Sequence, residues 1–85
     1  MTDGLQKRPK LPRLSARELE VLTWAARGKT FPEISILLSI SSDTAKDHIE
    51  RASNKLNTKN KTHTVAVAVA LGFIELFEKT PPKVE

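Results

Sequence analysis

The chain has 85 residues, of which 39% are hydrophobic, 28% charged and 5% aromatic. This length allows one small domain, and two histidines without any cysteine exclude a disulfide framework and a convincing zinc site. No apolar run reaches the roughly 18–20 residues of a membrane span, and the N-terminus lacks the apolar segment of a secretory signal. We therefore expect a soluble, cytoplasmic protein with no membrane partner, no metal and no cofactor.

The charge balance is basic, with 14 Lys and Arg against 10 Asp and Glu and a net charge of +4. A basic small domain favours a nucleic-acid partner, although most charged surfaces are simply solvated. Residues 1–13 hold two prolines and four basic residues, which predicts a flexible basic tail or linker. The ordered domain is expected over residues 14–79, followed by a flexible C-terminal tail over residues 80–85.

Four helices are predicted, and no strand pattern competes with them. The first begins at Ser15, which forms a capping-box pattern with Glu18, and it ends before Gly28. The second begins at Thr30, which forms the same pattern with Glu33. The predicted buried side chains of this second helix are Ile34, Leu37 and Leu38.

A short joint separates the second predicted helix from a third that is capped by Ser41 and ends at Asn57. Ala45, Ile49, Ala52 and Leu56 of the third helix recur at a spacing that places them on one buried face. A fourth helix is predicted from about Thr62 to Glu78. Two helices joined this tightly are typical of a helix-turn-helix, so the fold class is predicted as all-α with a three-helix core.

The exposed face of the third helix, residues 42–56, is the candidate reading surface, since the second helix of a helix-turn-helix enters the DNA major groove. Lys46 and Arg51 suit guanine O6 and N7, whereas Asp47 and Glu50 can accept from cytosine N4. An ordinary solvated helix face is the alternative, and the two acidic residues oppose phosphate attraction. Contacts to DNA phosphates are expected from Lys29, Thr30, Thr44, Lys55, Lys59 and Lys61.

The fourth predicted helix is apolar on all sides, whereas a surface helix of a small domain needs only one apolar stripe. Val67, Ala70 and Ile74 are expected to lie exposed unless another surface covers them. Homodimerisation through this helix explains the pattern most simply. The alternative is that small apolar residues are tolerated at the surface.

An enzyme is not expected, because the sequence has no phosphate-binding glycine loop, metalloprotease motif or nucleophile elbow. Trp24 is expected to pack at or near the core. His48 and His63 are expected at structural boundary positions, with catalysis or metal binding as the less favoured interpretation.

The region from Leu14 to Ile74 resembles the LuxR-type helix-turn-helix domain of bacterial transcription regulators. The matching motifs are L-S-x-R-E at 14–18, V-L at 21–22, G-K-T at 28–30, E-I at 33–34, I-S at 40–41, T-x-K-x-H at 44–48, K-L at 55–56 and L-G-F-I at 71–74. The segment W-A-A-R-G-K-T at 24–30 is more similar to the quorum-sensing branch than to two-component response regulators.

The resemblance implies a four-helix domain whose third helix reads DNA and whose fourth helix mediates dimerisation. It implies base contacts at Lys46, Asp47, Glu50 and Arg51. It also implies that Glu18, Leu22 and Gly28 match positions that the family uses structurally or for contact with the transcription machinery. Two features depart from the family pattern. Ser39 stands where glycine is usual, and Asp47 and Glu50 are acidic where apolar, polar or basic residues are common.

Two functions remain open at this point. The first is a sequence-specific transcription regulator, or its DNA-binding domain, that binds dyad-symmetric DNA as a homodimer in the bacterial cytoplasm. The second is a regulatory interaction module that pairs with a LuxR-type transcription factor without binding DNA itself. The chain is either an excised C-terminal domain or a stand-alone regulator.

Overall fold

The computed structural model describes residues 12–75 and contains four helices in this range, with no strand. We number them α1 (Ala16–Ala26), α2 (Phe31–Leu38), α3 (Ser42–Leu56) and α4 (Lys61–Ala70). The predicted all-α fold class is therefore confirmed. The predicted tail over residues 80–85 and most of the tail over residues 1–13 lie outside the described residues.

Each helix begins at a side chain that accepts a backbone N–H from the first turn. Ser15 and Thr30 form complete capping boxes with Glu18 and Glu33, as the sequence predicts. Ser41 accepts the N–H of Thr44 at 2.9 Å and so caps α3. Asn60 caps α4 in the same way through the N–H of His63. These local bonds satisfy backbone donors that no helical carbonyl can reach.

The helix α3 lies at the centre of the domain and contacts α1, α2 and α4. Its residues Ala45, Ile49 and Ala52 are buried, and Leu56 packs at the edge of the core. The remaining buried apolar side chains come from all the other helices and both flanking segments, and they are Leu14, Val21, Leu22, Ile34, Ala68 and Ile74. The orientation of α3 is therefore fixed by packing along one whole side.

The joint between α2 and α3 consists of Ser39, Ile40 and Ser41. Ser39 adopts the left-handed conformation with φ 57° and ψ 46°, and the N–H of Ile40 donates to the Ser35 carbonyl at 3.0 Å. A side chain costs free energy in this conformation because Cβ approaches the carbonyl oxygen. The tight joint predicted for a helix-turn-helix is thus formed with a serine at its left-handed position.

The predicted end of the fourth helix at Glu78 is wrong, because α4 ends at Ala70. Gly72 has a φ of 86°, which glycine adopts without steric cost, and the N–H of Phe73 returns to the Ala68 carbonyl at 2.9 Å. The chain then folds back, so that Ile74 is buried with 4% exposure. The apolar residues Phe73 and Ile74 therefore reflect a return to the core rather than a longer helix.

The predicted burial of Leu37 is also wrong, since 47% of this residue is exposed and its neighbour Ile36 is 80% exposed. In α2 only Ile34 is fully buried, and Phe31 and Leu38 pack partly against the core. At ~100° per residue, Phe31 and Leu38 lie within about 60° of Ile34 on one side, whereas Leu37 lies on the other side. A helix of eight residues has room for only this one narrow contact stripe.

Candidate nucleic-acid interface

The outward face of α3 carries the four predicted base-reading residues, and all four are exposed. Lys46, Asp47, Glu50 and Arg51 lie opposite the buried side of the helix. Asp43 and Asn54 are exposed on the same face. We call these six residues the α3 face. Because the buried side is packed against three other helices, the α3 face points away from the domain.

The charged side chains of the α3 face are available to a partner molecule. Within residues 12–75 the ion pairs are Arg17–Glu20 and Lys55–Glu18, and neither involves this face. Lys46 and Glu50 are four residues apart, as are Asp47 and Arg51, yet neither pair closes to form an ion pair. Their hydrogen-bonding groups therefore face solvent.

The charges on the α3 face have a definite arrangement. At ~100° per residue, Asp47 and Glu50 lie near the centre of the face, with Lys46 towards one edge and Arg51 towards the other. Together with Asp43 the face carries three carboxylates against two cations. The centre of the face is consequently a hydrogen-bond acceptor surface, and its two edges are donors.

The lysines predicted to contact phosphate differ in their exposure and in their contacts. Lys59 is exposed in the loop before α4, and Lys29 is half-buried just before α2. Lys61 lies with Nζ 4.7 Å from the centre of the Phe31 ring, which places its charge beside the first residue of α2. Two of these lysines, Lys59 and Lys61, share a groove with Glu50 and Asn54 of the α3 face.

The two threonines of the predicted phosphate set already serve as parts of helix caps. The Thr30 hydroxyl accepts the N–H of Glu33 at 3.3 Å and donates to its carboxylate at 3.2 Å. The hydrogen bond from the Thr30 N–H to the Glu33 carboxylate is the main reason why the pKa of Glu33 is lowered. Thr44 accepts a hydrogen bond from the Ser41 hydroxyl at 2.8 Å.

Lys55, which the sequence predicts to contact phosphate, has its ammonium group held by Glu18. Lys55 Nζ donates to both carboxylate oxygens of Glu18, at 2.8 Å and 3.1 Å. The Glu18 carboxylate also accepts the N–H of Ser15 at 2.9 Å. The spacing of the two residues in sequence gave no signal for this pair, which depends on the packing of α3 against α1. The phosphate contact of Lys55 stays a prediction, and a phosphate would compete with Glu18 for its ammonium group.

Two opposing effects act on the pKa of Glu18. Burial of the carboxyl raises the pKa, but the hydrogen bonds from Lys55 and Ser15 together with the Lys55 charge outweigh burial and lower it. Glu18 is therefore a buried, ionised group whose charge is compensated. Its carboxylate ties the start of α1 to the last turn of α3.

A groove of about 430 Å³ lies between the C-terminal half of α3 and the start of α4. Glu50 and Asn54 form part of one wall, and Lys59, Asn60 and Lys61 form part of the other. The sequence does not single out Asn54 or Asn60 as site residues, because neither carries a charge. Their position in the groove adds amide groups to the candidate interface.

Comparison with known proteins decides the family. Residues 12–68 match the family described as bacterial regulatory proteins, luxR family. This match spans more than half of the chain. The chain belongs to the luxR family. The resemblance of residues 14–74 to a LuxR-type helix-turn-helix domain is thereby confirmed, and the matched relatives are transcription regulators.

Two relatives of this luxR-family chain are named as quorum-sensing-dependent transcriptional regulators. RpaR of Rhodopseudomonas palustris is 50% identical over 64 residues, which cover 75% of this chain and 26% of RpaR. VjbR of Brucella abortus is 45% identical over 65 residues, which cover 76% of this chain and 25% of VjbR. The chain thus matches about a quarter of the length of these relatives.

Solved structures show the same luxR-family fold. The transcription factor GerE has a TM-score of 0.72 and 29% identity, covering 81% of this chain and all of GerE. SdiA, solved in complex with octanoyl-rac-glycerol, has a TM-score of 0.71 and 36% identity, covering 89% of this chain and 31% of SdiA. VqmA of Vibrio cholera, solved as a ligand–DNA complex, has a TM-score of 0.70 and 26% identity, covering 80% of this chain and 30% of VqmA.

The three predicted dimerisation residues of the luxR-family domain differ in their exposure. Ala70 is exposed and Val67 is half-buried on α4, and 41% of Leu71 is exposed directly after them. The expected exposure of Ile74 is wrong, because the turn at Gly72 carries this side chain into the core of its own domain. Of the three predicted residues, Val67 and Ala70 therefore remain as candidates for contact with a second copy.

The tryptophan and the two histidines occupy positions consistent with structural roles. Trp24 packs partly against the core, and the Arg27 guanidinium lies 5.4 Å from its ring centre. His63 accepts the N–H of Lys59 through Nδ1 at 3.2 Å, which closes the turn before α4. His48 lies at the edge of the buried side of α3, where its Nδ1 is buried without a hydrogen-bond partner among the described residues.

Within residues 12–75 no group of three or more His, Asp or Glu side chains converges on a point where a metal ion could bind. The same residues contain no helix with the length and apolar character needed to cross a membrane.

Proposed function

We propose that this domain binds double-stranded DNA sequence-specifically, with α3 in the major groove. The observation that carries the proposal is the α3 face, whose polar side chains are exposed and unpaired on a helix held rigidly by its packing. A recognition helix needs both properties, because base-edge hydrogen bonds are formed only by groups that are free and correctly oriented. The relatives named as transcriptional regulators support the same function.

Each side chain of the α3 face has a definite role in this proposal. Lys46 and Arg51 donate to guanine O6 and N7, and Asp47 and Glu50 accept from amino groups of bases. Lys29, Lys59 and Lys61 contact phosphates on either side, together with the capped helix starts near Thr30 and Thr44. These contacts position the domain, whereas the base contacts select the sequence.

The functional unit in this proposal is a homodimer formed through α4. Val67, Ala70 and the exposed part of Leu71 give that helix an apolar surface suited to a second copy. Two-fold symmetry then requires a dyad-symmetric operator whose half-sites lie roughly 34–36 Å apart. The proposal places the protein in the bacterial cytoplasm, where DNA and RNA polymerase, a further proposed partner, are accessible.

Fluorescence anisotropy of the whole chain tests this function. Dyad-symmetric duplexes selected from a random pool are compared with scrambled duplexes at two salt concentrations. We expect the selected duplex to bind at least tenfold more tightly, with an affinity that falls as salt rises, because phosphate contacts release counterions. Lys46→Ala and Arg51→Ala should remove most of this preference, whereas the control Arg17→Ala, on an exposed part of α1, should leave it unchanged.

A second candidate function is supported by the acidic centre of the α3 face. Three carboxylates on this face repel phosphates, and they suit a module that pairs with a LuxR-type protein instead of DNA. The double variant Asp47→Lys, Glu50→Lys separates the two functions. If the native chain binds no duplex and the double variant does, the interaction module is the correct function.

A further inference from the structure

We infer that Asp47 and Glu50 make this domain select half-sites whose central bases present an amino group in the major groove, cytosine N4 above all. The inference rests on the proposed function, since it requires α3 to be the reading helix. It goes further by naming the base that the centre of the helix accepts and the bases that it rejects.

The position of the two carboxylates is the first support. Asp47 and Glu50 are three residues apart, so they are neighbours on the helix surface with about 5–6 Å between their Cβ atoms. Both lie near the centre of the α3 face and both are exposed. When α3 enters the groove, this part of the helix comes nearest to the base edges.

The second support is that neither carboxylate is neutralised within residues 12–75. Lys46 and Arg51 stand at the helical spacing that favours ion pairs with Glu50 and Asp47, and neither pair forms. Both acids therefore keep their full capacity to accept hydrogen bonds. Ion pairs at both positions would instead have occupied these acceptor oxygens.

The groove between α3 and α4 is the third support. Glu50 and Asn54 line one wall, and Lys59 and Lys61 line the other, across a space of about 430 Å³. The Lys61 ammonium lies over the Phe31 ring, so the exposed Lys59 is the cation of this wall that attracts a phosphate. A strand held at Lys59 brings its base edges towards the wall with Glu50 and Asn54. The opposite charge of the two walls thus assigns backbone and bases to different sides.

Hydrogen-bond chemistry then determines which base is accepted. An ionised carboxylate only accepts hydrogen bonds, and in the major groove cytosine offers only a donor, the N4 amino group. Guanine presents O6 and N7 and thymine presents O4, so these bases would set acceptor against acceptor in a dehydrated space. Adenine offers N6 beside the acceptor N7, which suits the amide of Asn54 better than a carboxylate.

The same acids should also weaken binding to unrelated DNA. In a non-specific complex the carboxylates meet phosphates and water instead of amino groups, so they contribute repulsion without a compensating hydrogen bond. The preference for the correct site then arises from rejection of wrong sites as much as from attraction to the right one.

In vitro selection from a random duplex pool, with the whole 85-residue chain, tests the inference. We expect wild-type sites to contain cytosine at one or two fixed central positions of each half-site, on either strand. Changing such a C·G pair to T·A should weaken binding about 5- to 100-fold, since the N4 donor is replaced by the O4 acceptor. Asp47→Asn and Glu50→Gln keep the side-chain size while adding a donor, so they should lower that discrimination to less than threefold.

Glu20→Gln serves as the matched control, because Glu20 is an exposed acid on α1, away from the α3 face. It should leave the selected sequence unchanged. Sites without central cytosine, or a cytosine preference that persists in both Asp47→Asn and Glu50→Gln, would overturn the inference while leaving DNA binding intact. Failure of the wild-type chain to enrich any sequence would overturn the proposed function and this inference together.

Discussion

Lys55 Nζ donates to both oxygens of the Glu18 carboxylate, at 2.8 Å and 3.1 Å, and so joins the last turn of α3 to the first turn of α1. The Glu18 side chain is 4% exposed and the Lys55 side chain 40% exposed. This pair holds the C-terminal end of the reading helix in place without taking part in its outward face.

Replacing Lys55 by methionine should destabilise the domain, because it leaves a buried carboxylate with only its bonds to Ser15. We expect a loss of about 1–3 kcal/mol in the free energy of unfolding, reduced from the value for a fully buried pair because Lys55 is partly exposed. Urea denaturation measures the effect. Lys59→Met, at an exposed loop position, should change the unfolding free energy by less than about 0.5 kcal/mol.

The pH dependence of stability should reflect the lowered pKa of Glu18. The carboxyl has a pKa below its ordinary value of 4.5 in the folded state, so the unfolded chain binds a proton first as the pH falls. The stability from this group is complete above the unfolded pKa and is lost as the pH falls through the folded pKa. Glu18→Gln should therefore flatten the loss of thermal stability on acidification, and an unchanged slope between wild type and variant would contradict this role.

Ser39→Gly should stabilise the domain, because glycine relieves the left-handed strain at φ 57°. The greater freedom of glycine in the unfolded chain offsets part of this gain, so we expect about 0.5–1 kcal/mol. Thermal unfolding measures the shift. Asn57→Gly at the left-handed end of α3 is the comparison, and its gain should be smaller because asparagine tolerates this conformation.

Ile74→Ala and Ala70→Glu should separate a core role from a dimerisation role. Ile74 is buried within one copy, so its truncation should cost about 2–4 kcal/mol in unfolding free energy at any protein concentration. Ala70 is exposed, so its replacement by glutamate should leave monomer stability nearly unchanged and weaken self-association. Sedimentation and urea unfolding across a range of concentrations distinguish the two effects, and self-association that survives Ala70→Glu would exclude this face of α4.

Lys59 and Arg51 should differ in the kind of DNA binding that they support. Lys59→Ala should weaken selected and scrambled duplexes alike and lower the salt slope by about one, as expected for loss of one phosphate contact. Arg51→Ala should cost about 1–3 kcal/mol on the selected duplex and relax its sequence preference. If both variants weaken all duplexes equally, Arg51 is a phosphate contact and the assignment of base reading to it is wrong.

The sequence predicted the start of every helix to within one residue because the caps are local features. Ser15, Thr30 and Ser41 each satisfy a backbone donor three residues away, and the side-chain type at that spacing is sufficient to recognise them. The exposure of the α3 face could also be predicted, because a fifteen-residue helix with one apolar stripe allows only one orientation.

The features that the sequence does not predict depend on distant parts of the chain. The pairing of Lys55 with Glu18 requires two helices to be packed first, and no local spacing encodes it. The apolar residues that follow α4 continue its pattern, so the pattern does not mark the end of the helix. Gly72, which has a positive φ in the structure, is the residue that marks the turn. Hydrophobicity alone does not show which side of a short helix Leu37 lies on. It also does not show whether Ile74 packs within its own domain or against a second copy.

The four N-terminal caps have a consequence for the speed of folding. Ser15, Thr30, Ser41 and Asn60 each mark a helix start through contacts only three residues apart along the chain. Helical turns can therefore nucleate independently before the helices meet, and all-helical domains with such local contacts refold in about microseconds to milliseconds. We expect the docking of α1, α2 and α4 around α3 to limit the rate of folding, so that α3 acquires its final orientation only when the whole domain is folded.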